Sequence, residues 1–266
     1  MNKKRADVLL FEKGLVDSRE KGKRIIMEGS VFIGTTRIDK PGEKFDEDVD
    51  IYIKTNPLAY VSRGGLKLEK AIEEFDINLK DKITMDIGAS TGGFTDCMLK
   101  EGANKVYAVD VGYGQLDWEL RNDSRVIVME RTNIRNVTTD DIEDKLDFIS
   151  IDVSFISLKL VLPVAKSLLK ENGEIVALIK PQFEAGKDKV GKKGIIRDKN
   201  THIDVLKSII KFSNTIDLGV ANLSFSPITG AKGNIEFLIH LINNRESKIN
   251  DSYIINLVDD AHNSLE

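Results

Sequence analysis

The chain has 266 residues, 41% of them hydrophobic and 31% charged, with 39 Lys and Arg against 43 Asp and Glu for a net charge of −4. That composition can fill a globular core and, at roughly 150 residues per domain, fits one or two domains; it excludes a wholly basic nucleic-acid coat and a highly charged disordered chain. A single cysteine, Cys97, excludes an intrachain disulfide framework and a cysteine-based zinc cluster.

Three histidines (His202, His240, His262) without an HExxH pattern give no ground to expect a metal. The basic start is followed by no apolar run, and the most apolar long stretch, 148–165, contains Asp152 and Lys159. Neither a secretory signal nor a membrane span is expected, and a reduced cytoplasm is the default address.

Charge is uneven along the chain. Residues 1–24 hold eight Lys and Arg against four acids, residues 43–50 five acids against one Lys, and the first 60 residues sum to +1 against −5 for the rest. Val8, Leu9, Leu10 and Leu15 give a short helix-period pattern with Gly14 as its C′ glycine. Ser18 reads as the N-cap of a second helix over 19–27. Segments 31–33 and 48–53 read as strands joined through the Lys40-Pro41-Gly42 turn signal. Arg19, Lys23 and Arg24 can align on one helix face, as a phosphate-tracking surface needs or as any solvated face does.

Lys54-Thr55-Asn56-Pro57-Leu58 breaks the pattern, and Pro57 suits an extended linker. The expected division is a small α+β unit over 1–54, a linker over 55–62 and a large domain over 63–266. After Gly64-Gly65 comes a helix pattern through Leu66, Leu68, Ala71 and Ile72. Apolar strands at 83–87, 106–109, 126–129, 148–151 and 175–179 then alternate with helices at 94–99, 157–169 and 200–212. This predicts an α/β fold with a doubly wound, mostly parallel sheet. Segments 221–225 and 235–242 have no helix between them and suit an antiparallel edge.

Asp86-Ile87-Gly88-Ala89-Ser90-Thr91-Gly92-Gly93-Phe94 follows the first strand of this domain and opens a helix, so backbone amides can approach a ligand. It is not GxGxxG. Asp110 ends the next strand, where a carboxylate can accept from ribose hydroxyls. On these residues alone a nicotinamide cofactor stays open. From Lys180 to Lys199 there are seven basic residues against three acids, punctuated by Gly186, Gly191 and Gly194. That is the composition of a loop able to meet RNA phosphates, or of a solvated loop.

Two resemblances sharpen the reading. Arg5-Ala6-Asp7, Gly14-Leu15-Val16-Asp17-Ser18-Arg19, Ile25-Ile26 and Gly29-Ser30-Val31-Phe32-Ile33, in this order, resemble the S4-type RNA-binding domain, with Gly34-Thr35 where that module usually has Asn-Gly. The Asp86–Phe94 loop, Val109-Asp110-Val111-Gly112-Tyr113-Gly114-Gln115-Leu116, Asp152-Val153-Ser154-Phe155-Ile156-Ser157 and Ile179-Lys180-Pro181-Gln182-Phe183-Glu184 resemble S-adenosylmethionine-dependent ribose methyltransferases. With the S4-type unit in front, the chain resembles the TlyA family, also known under the haemolysin A name, over essentially its whole length.

The resemblance implies a Rossmann-like methyltransferase fold, S-adenosyl-L-methionine as cofactor, and 2′-O-methylation of cytidine in ribosomal RNA, with ribosomal RNA or ribosomal subunits as partners. It implies a catalytic set of Lys67, Asp152, Lys180 and Glu236. A ribose hydroxyl is a poor nucleophile and must share or lose its proton as it attacks. A lysine with an ordinary pKa of about 10.4 is a poor base at neutral pH unless its surroundings change that. Lys180 is assigned to deprotonate or orient the hydroxyl, Asp152 and Lys67 to position it, and Glu236 to complete the network.

Cofactor contacts are expected from Gly88, Ala89, Ser90, Thr91, Gly92, Gly93 and Phe94, and from Asp110, Val111, Asn133 and Asp152, with Asp86 either a contact or an anchor of the loop. RNA contacts are expected from Lys4, Arg5, Arg19, Lys23 and Arg24, and from Lys187, Lys189, Lys192 and Lys193. Cys97 sits in an apolar helix pattern and is read as core, against a cysteine-based carbon methylation. The alternatives are a membrane-lytic protein, against which stand the missing apolar span and signal, and a non-catalytic RNA-binding assembly factor, against which stands the intact catalytic set.

Overall fold

The computed structural model describes residues 3–27, 29–34, 36–53, 59–186, 189–191, 194–247 and 249–265. Three of the expected RNA contacts (Lys187, Lys192 and Lys193), Thr35 of the expected turn and the linker core 54–58 lie outside the described residues. The chain divides into two compact units, Met1–Arg63 and Gly64–Glu266.

In the first unit, β1 (Lys3–Arg5) leads into α1 (Ala6–Glu12), followed by α2 (Arg19–Met27), β2 (Val31–Ile33), β3 (Thr36–Arg37), β4 (Lys44–Asp46) and β5 (Ile51–Ile53). Gly14 has φ +68° just past α1, and the Ser18 hydroxyl accepts from the Lys21 N–H at 3.2 Å, an N-cap bond. Ala6, Leu9 and Leu10 of α1 meet Ile26 and Val31 in a small core.

The two expected strands do pair, as β2 with β5, but the sheet is more divided than a simple hairpin. β2 pairs antiparallel with both β3 and β5, while β1 pairs with β4 in a separate ribbon. The Lys40–Glu43 turn therefore leads from β3 to β4. The strand expected over 48–53 shortens to β5, because 46–50 is an acidic turn with little apolar side chain to bury.

The second unit runs α3 (Gly65–Phe75), β6 (Ile83–Ile87), α4 (Gly93–Lys100), β7 (Lys105–Val109), α5 (Trp118–Arg121), β8 (Val126–Met129), a 3-10 turn (Ile134–Asn136), β9 (Leu146–Ile151), α6 (Leu158–Leu168), β10 (Leu169–Ile179), α7 (Pro181–Glu184), α8 (Lys199–Thr215), β11 (Leu218–Phe225), β12 (Phe237–Asn243) and α9 (Asp251–Leu265). Among the described residues the sheet has seven strands in the order β11-β12-β10-β9-β6-β7-β8. β10, β9, β6, β7 and β8 are parallel, and β12 is antiparallel to β10 and to β11. This is the doubly wound sheet with an antiparallel edge that the alternation predicts.

The central strands are mostly apolar because helices cover both faces. One core cluster joins Ile87, Val109 and Ile151 of the sheet to Leu158, Leu162, Leu206 and Val258 of the helices. Cys97 is fully buried in α4. From β6 the chain winds outward through β7 and β8, then returns to the other side of β6 with β9. That reversal leaves a crevice beyond the carboxyl ends of β6, β7 and β9, where open α/β sheets bind ligands.

Candidate active site

A cleft of about 300 Å³ opens at that switch point. Its walls come from the segments that follow four strands, β6, β7, β8 and β9: Gly88 and Ser90, Asp110 and Val111, Asn133 and Ile134, and Asp152 to Ile156.

The glycine loop is shaped by contacts to the neighbouring strands. Gly88 (φ +89°) donates its N–H to the Val109 carbonyl at 2.8 Å, and Ser90 itself takes φ +49°. A Cβ on Gly88 would lie 2.4 Å from the Asp152 carbonyl oxygen, so this position needs glycine for space as well as for backbone. Asp110 closes the loop: Oδ2 accepts from the Ser90 N–H at 2.8 Å and Oδ1 from the Gly112 N–H at 2.6 Å. A carboxylate has about four acceptor positions, so Asp110 keeps capacity toward the cleft. Asn133 Oδ1 accepts from the Arg135 N–H at 3.1 Å, which caps the 3-10 turn and fixes that wall.

Of the residues expected at the cofactor, Gly88, Ser90, Asp110, Val111, Asn133 and Asp152 line the cleft. Ala89, Gly93 and Phe94 are buried behind it, as is Gly92, while Thr91 is half-buried. None of these five lines the cleft. Asp86 lies under the loop, 1% exposed. Its Oδ2 accepts from both the N–H and the hydroxyl of Thr95, at 2.9 and 2.7 Å, and Oδ1 from the Ser150 hydroxyl at 3.3 Å. It ties the start of α4 to the sheet. Burial pushes its carboxyl up to about 7; the Thr95 and Ser150 hydrogen bonds oppose the shift and the Asp152 charge adds to it.

Lys67, Asp152, Lys180 and Glu236 come together from four places in the chain. Lys180 follows β10 and forms a short ion pair with Asp152 Oδ1. It also donates to the Ser154 hydroxyl at 3.1 Å. Lys67 of α3 donates to Glu236 Oε2 at 2.7 Å and stands 3.8 Å from Asp152 Oδ2. Both lysines and Glu236 are buried, and Asp152 keeps 20% of its side chain exposed, toward the cleft it lines. Burial would raise the Asp152 carboxyl, but Lys67 and Lys180 outweigh it and hold it below the usual range. Two cations and two anions thus share one buried site without net charge, which removes most of the penalty that an unpaired charge would carry there.

Ser154, Gln115 and Phe155 also line the cleft, and sequence reasoning assigned none of them. Ser154 and Phe155 belong to the Asp152–Ser157 motif, so the signal was present. Phe155 is 89% exposed with φ +64°, an uncommon conformation for an aromatic residue.

Of the expected basic residues of the first unit, Arg5 and Arg19 are exposed and Lys4, Lys23 and Arg24 are half-buried. Arg5 grips the buried Asp7 through two bonds of 2.9 and 3.1 Å, and Arg19 stands 3.7 Å from the same carboxylate. Lys4 pairs with Glu12 at 2.7 Å, and Lys23 with Glu20 at 3.0 Å. Lys189 of the second unit pairs with Asp204 at 3.1 Å. Arg5 and Arg19 therefore stabilise a buried acid as well as presenting charge.

Fold and cleft together define a class: a Rossmann-like methyltransferase domain of the S-adenosylmethionine-dependent type that follows a small α+β unit in the chain. The FtsJ-like methyltransferase family matches residues 60–243, and the S4 domain matches residues 4–51. The chain belongs to the FtsJ-like methyltransferase family, in the branch of its TlyA and hemolysin A relatives. It is 55% identical to the Bacillus subtilis chain YqxC, which carries an rRNA methyltransferase name, over 99% of this chain and 96% of that one. It is 39% identical to the 16S/23S rRNA (cytidine-2′-O)-methyltransferase TlyA of Mycobacterium tuberculosis over 89% of each. A solved chain from Streptococcus thermophilus under a hemolysin name superposes with a TM-score of 0.79 at 48% identity, over 99% of this chain and 97% of its own. Among the described residues no helix is long and apolar enough to cross a membrane.

Proposed function

We propose that the chain methylates the 2′-hydroxyl of cytidine in ribosomal RNA, with S-adenosylmethionine as the methyl donor. The observation that carries this reading is the Lys180 ammonium held between Asp152 and Ser154, two groups that line the cleft. The names of the relatives support the same reaction.

The residues present fit such a cofactor. Asp110 retains acceptor capacity for a vicinal diol. Val111, Ile134 and Phe155 supply flat apolar wall for a purine, with Asn133 beside them. Gly88 lines the cleft with bare backbone, and its close contact with the Asp152 carbonyl holds that backbone in place. When bound, the group supplies an electrophilic methyl on a sulfonium.

The chain's own residues prepare the nucleophile. Asp152 fixes the Lys180 nitrogen at the cleft, and Lys67, held by Glu236, fixes Asp152 from its other oxygen. The Lys180 nitrogen then meets the ribose hydroxyl and orients its oxygen; once it has given its own proton to solvent, the neutral amine accepts the hydroxyl proton as the oxygen attacks. The Ser154 hydroxyl is a second partner that keeps the nitrogen from turning away. A prearranged set of this kind contributes through orientation and proton transfer.

Residues 1–54 serve as the RNA-binding unit, and 55–62 join it to the methyltransferase domain over 63–266. Arg5, Arg19, Lys23, Arg24 and Lys4 supply charge to phosphates in this reading, and Lys189 does so beside the site. Such a reaction on ribosomal RNA belongs in the cytoplasm. Mapping 2′-O-methyl groups in ribosomal RNA from cells with and without the gene tests it, together with methyl transfer by purified protein to ribosomal subunits. Loss of a cytidine 2′-O-methyl without the gene, restored by the protein, is expected. Identical maps and no transfer to either subunit would overturn the reading.

A further inference from the structure

Asn234 is 2% exposed and spends both ends of its amide on one stretch of chain. Its Oδ1 accepts from the Ile196 N–H at 3.0 Å, and its Nδ2 donates to the Gly194 carbonyl at 2.9 Å. Only a carboxamide of this length both donates and accepts across one extended segment; aspartate lacks the donor and serine the reach. The Ile196 side chain is itself buried, so the stretch is anchored rather than draped.

The backbone of Asn234 belongs to the turn that presents Glu236. Its carbonyl accepts from the Gly230 N–H at 2.9 Å, and the Gly233 N–H donates to the Gly230 carbonyl at 2.8 Å. The Glu236 carbonyl accepts from the Ser226 N–H at 2.9 Å. Gly230 closes directly on the Glu236 carboxylate, since a Cβ there would lie 2.5 Å from Oε1. Glu236 in turn holds Lys67.

The segment that leaves the site at Lys180 is therefore tied to it twice. Its first residue pairs with Asp152, and residues 194–196 are bound through Asn234 to the Glu236 turn. Lys189 and Arg197 lie on or beside that segment.

We propose that Asn234 is a positioning residue that latches the 194–196 stretch to the Glu236 turn. RNA gripped by the basic segment and the carboxylate that fixes Lys67 are thereby one mechanical unit. This rests on the RNA-methylation reading above. Binding energy from RNA contacts remote from the reacting ribose is then spent on holding the buried charges in place, where it raises turnover rather than affinity.

Single-turnover methyl transfer to ribosomal subunits, calorimetry with S-adenosylmethionine and amide hydrogen exchange test this on the full chain. Asn234→Ala should lower the transfer rate about 10-fold or more, the scale expected when a positioned group shifts, with cofactor affinity unchanged. The Asn234→Ala, Glu236→Gln double variant should be no slower than Glu236→Gln alone, because both act through one carboxylate. Glu236→Gln should also speed exchange of the Ile196 amide, a residue it does not touch. Asn234→Asp, which keeps the acceptor for Ile196, should show the same non-additive pattern if the alanine variant does not fold. Multiplying losses in the double variant, with Ile196 exchange unchanged by Glu236→Gln, would reduce Asn234 to a fold-stabilising residue and overturn the proposal. If the wild-type protein transfers no methyl to RNA, the functional reading fails by itself. The exchange measurement then decides alone: faster Ile196 exchange in Glu236→Gln keeps the latch, and unchanged exchange ends it.

Discussion

Gly88 packs against the carbonyl of Asp152 so closely that no side chain fits between them. The cofactor loop and the acid that holds both lysines are thereby in direct contact. Asp152 also donates its N–H to the Ile87 carbonyl at 3.0 Å, so the two strand ends move together. Gly88→Ala meets both a positive φ and a backbone oxygen 2.4 Å away. It should cost about 1–3 kcal/mol of stability, the usual scale for such strain. Displacement of Asp152 should lower methyl transfer by about 10²-fold, as a shift of roughly 1 Å does elsewhere. Thermal unfolding and single-turnover rates would check both, and a variant of wild-type rate would show that the loop can move away from Asp152 freely.

Asp86 beneath the loop and Asp152 at the cleft give opposite pH signatures. Asp86 has its folded pKa raised to about 7. Its unfolded value lies near 3.9. The folded state thus holds the extra proton, so Asp86 favours folding fully below the unfolded value and loses that contribution as pH climbs toward 7. Asp152 is held below its ordinary value, so its contribution is present above the unfolded value and lost as pH falls through the folded one. Asp86→Asn keeps an acceptor for Thr95 and removes the titration. It should flatten the decline in stability between about pH 4 and pH 8 by on the order of a few kcal/mol. Denaturant midpoints across that range would measure it; a decline that persists in Asp86→Asn would place its origin elsewhere.

The sheet was legible because its inner strands are buried on both faces and read as apolar runs, most plainly over Ile175–Ile179. The first unit was less so: β1 and β4 are three-residue, mostly charged strands with no alternation to read. The helix α9 carries Ile254, Leu257, Val258 and Ala261 at helical spacing, but its role is clear only with the sheet in view. Lys67 and Glu236 are 169 residues apart, and no local pattern pairs them. Only the family resemblance put them in one set. Asn234 stands two residues before Glu236, yet its side-chain partners lie 38 and 40 residues upstream, beyond the reach of any spacing rule.

Removing residues 1–56 should leave S-adenosylmethionine binding intact and abolish most transfer to ribosomal subunits. The second unit has its own core from Met85 to Ala261, and every residue lining the cleft belongs to it. The first unit carries the S4 match. Calorimetry should give a cofactor affinity close to that of the full chain. Full activity on subunits after the deletion would deny the S4 unit its role in substrate capture.

Lys180→Met retains most of the length and the apolar stem of the side chain but removes the ammonium that pairs with Asp152. If Lys180 acts on the ribose hydroxyl, turnover should fall by about 10²-fold or more, the scale of general acid–base groups. Cofactor and RNA affinity should change little, since Asp110 and the exposed lysines remain. The pairing with Asp152 also predicts a stability effect, because the acid keeps only Lys67, at 3.8 Å. Thermal unfolding therefore has to accompany the kinetics, so that lost protein is not counted as lost chemistry. Lys189→Met is the matched control: it removes an exposed charge paired with Asp204. It should weaken RNA binding in a salt-dependent way and leave turnover at saturating RNA nearly intact. Single-turnover transfer and RNA binding at two salt concentrations separate the two behaviours. A Lys180→Met protein that is folded and turns over normally once RNA saturates would make Lys180 a phosphate contact. The proton of the ribose hydroxyl would then need another acceptor, and the Asp152 carboxylate, which lines the cleft, would be the group to test.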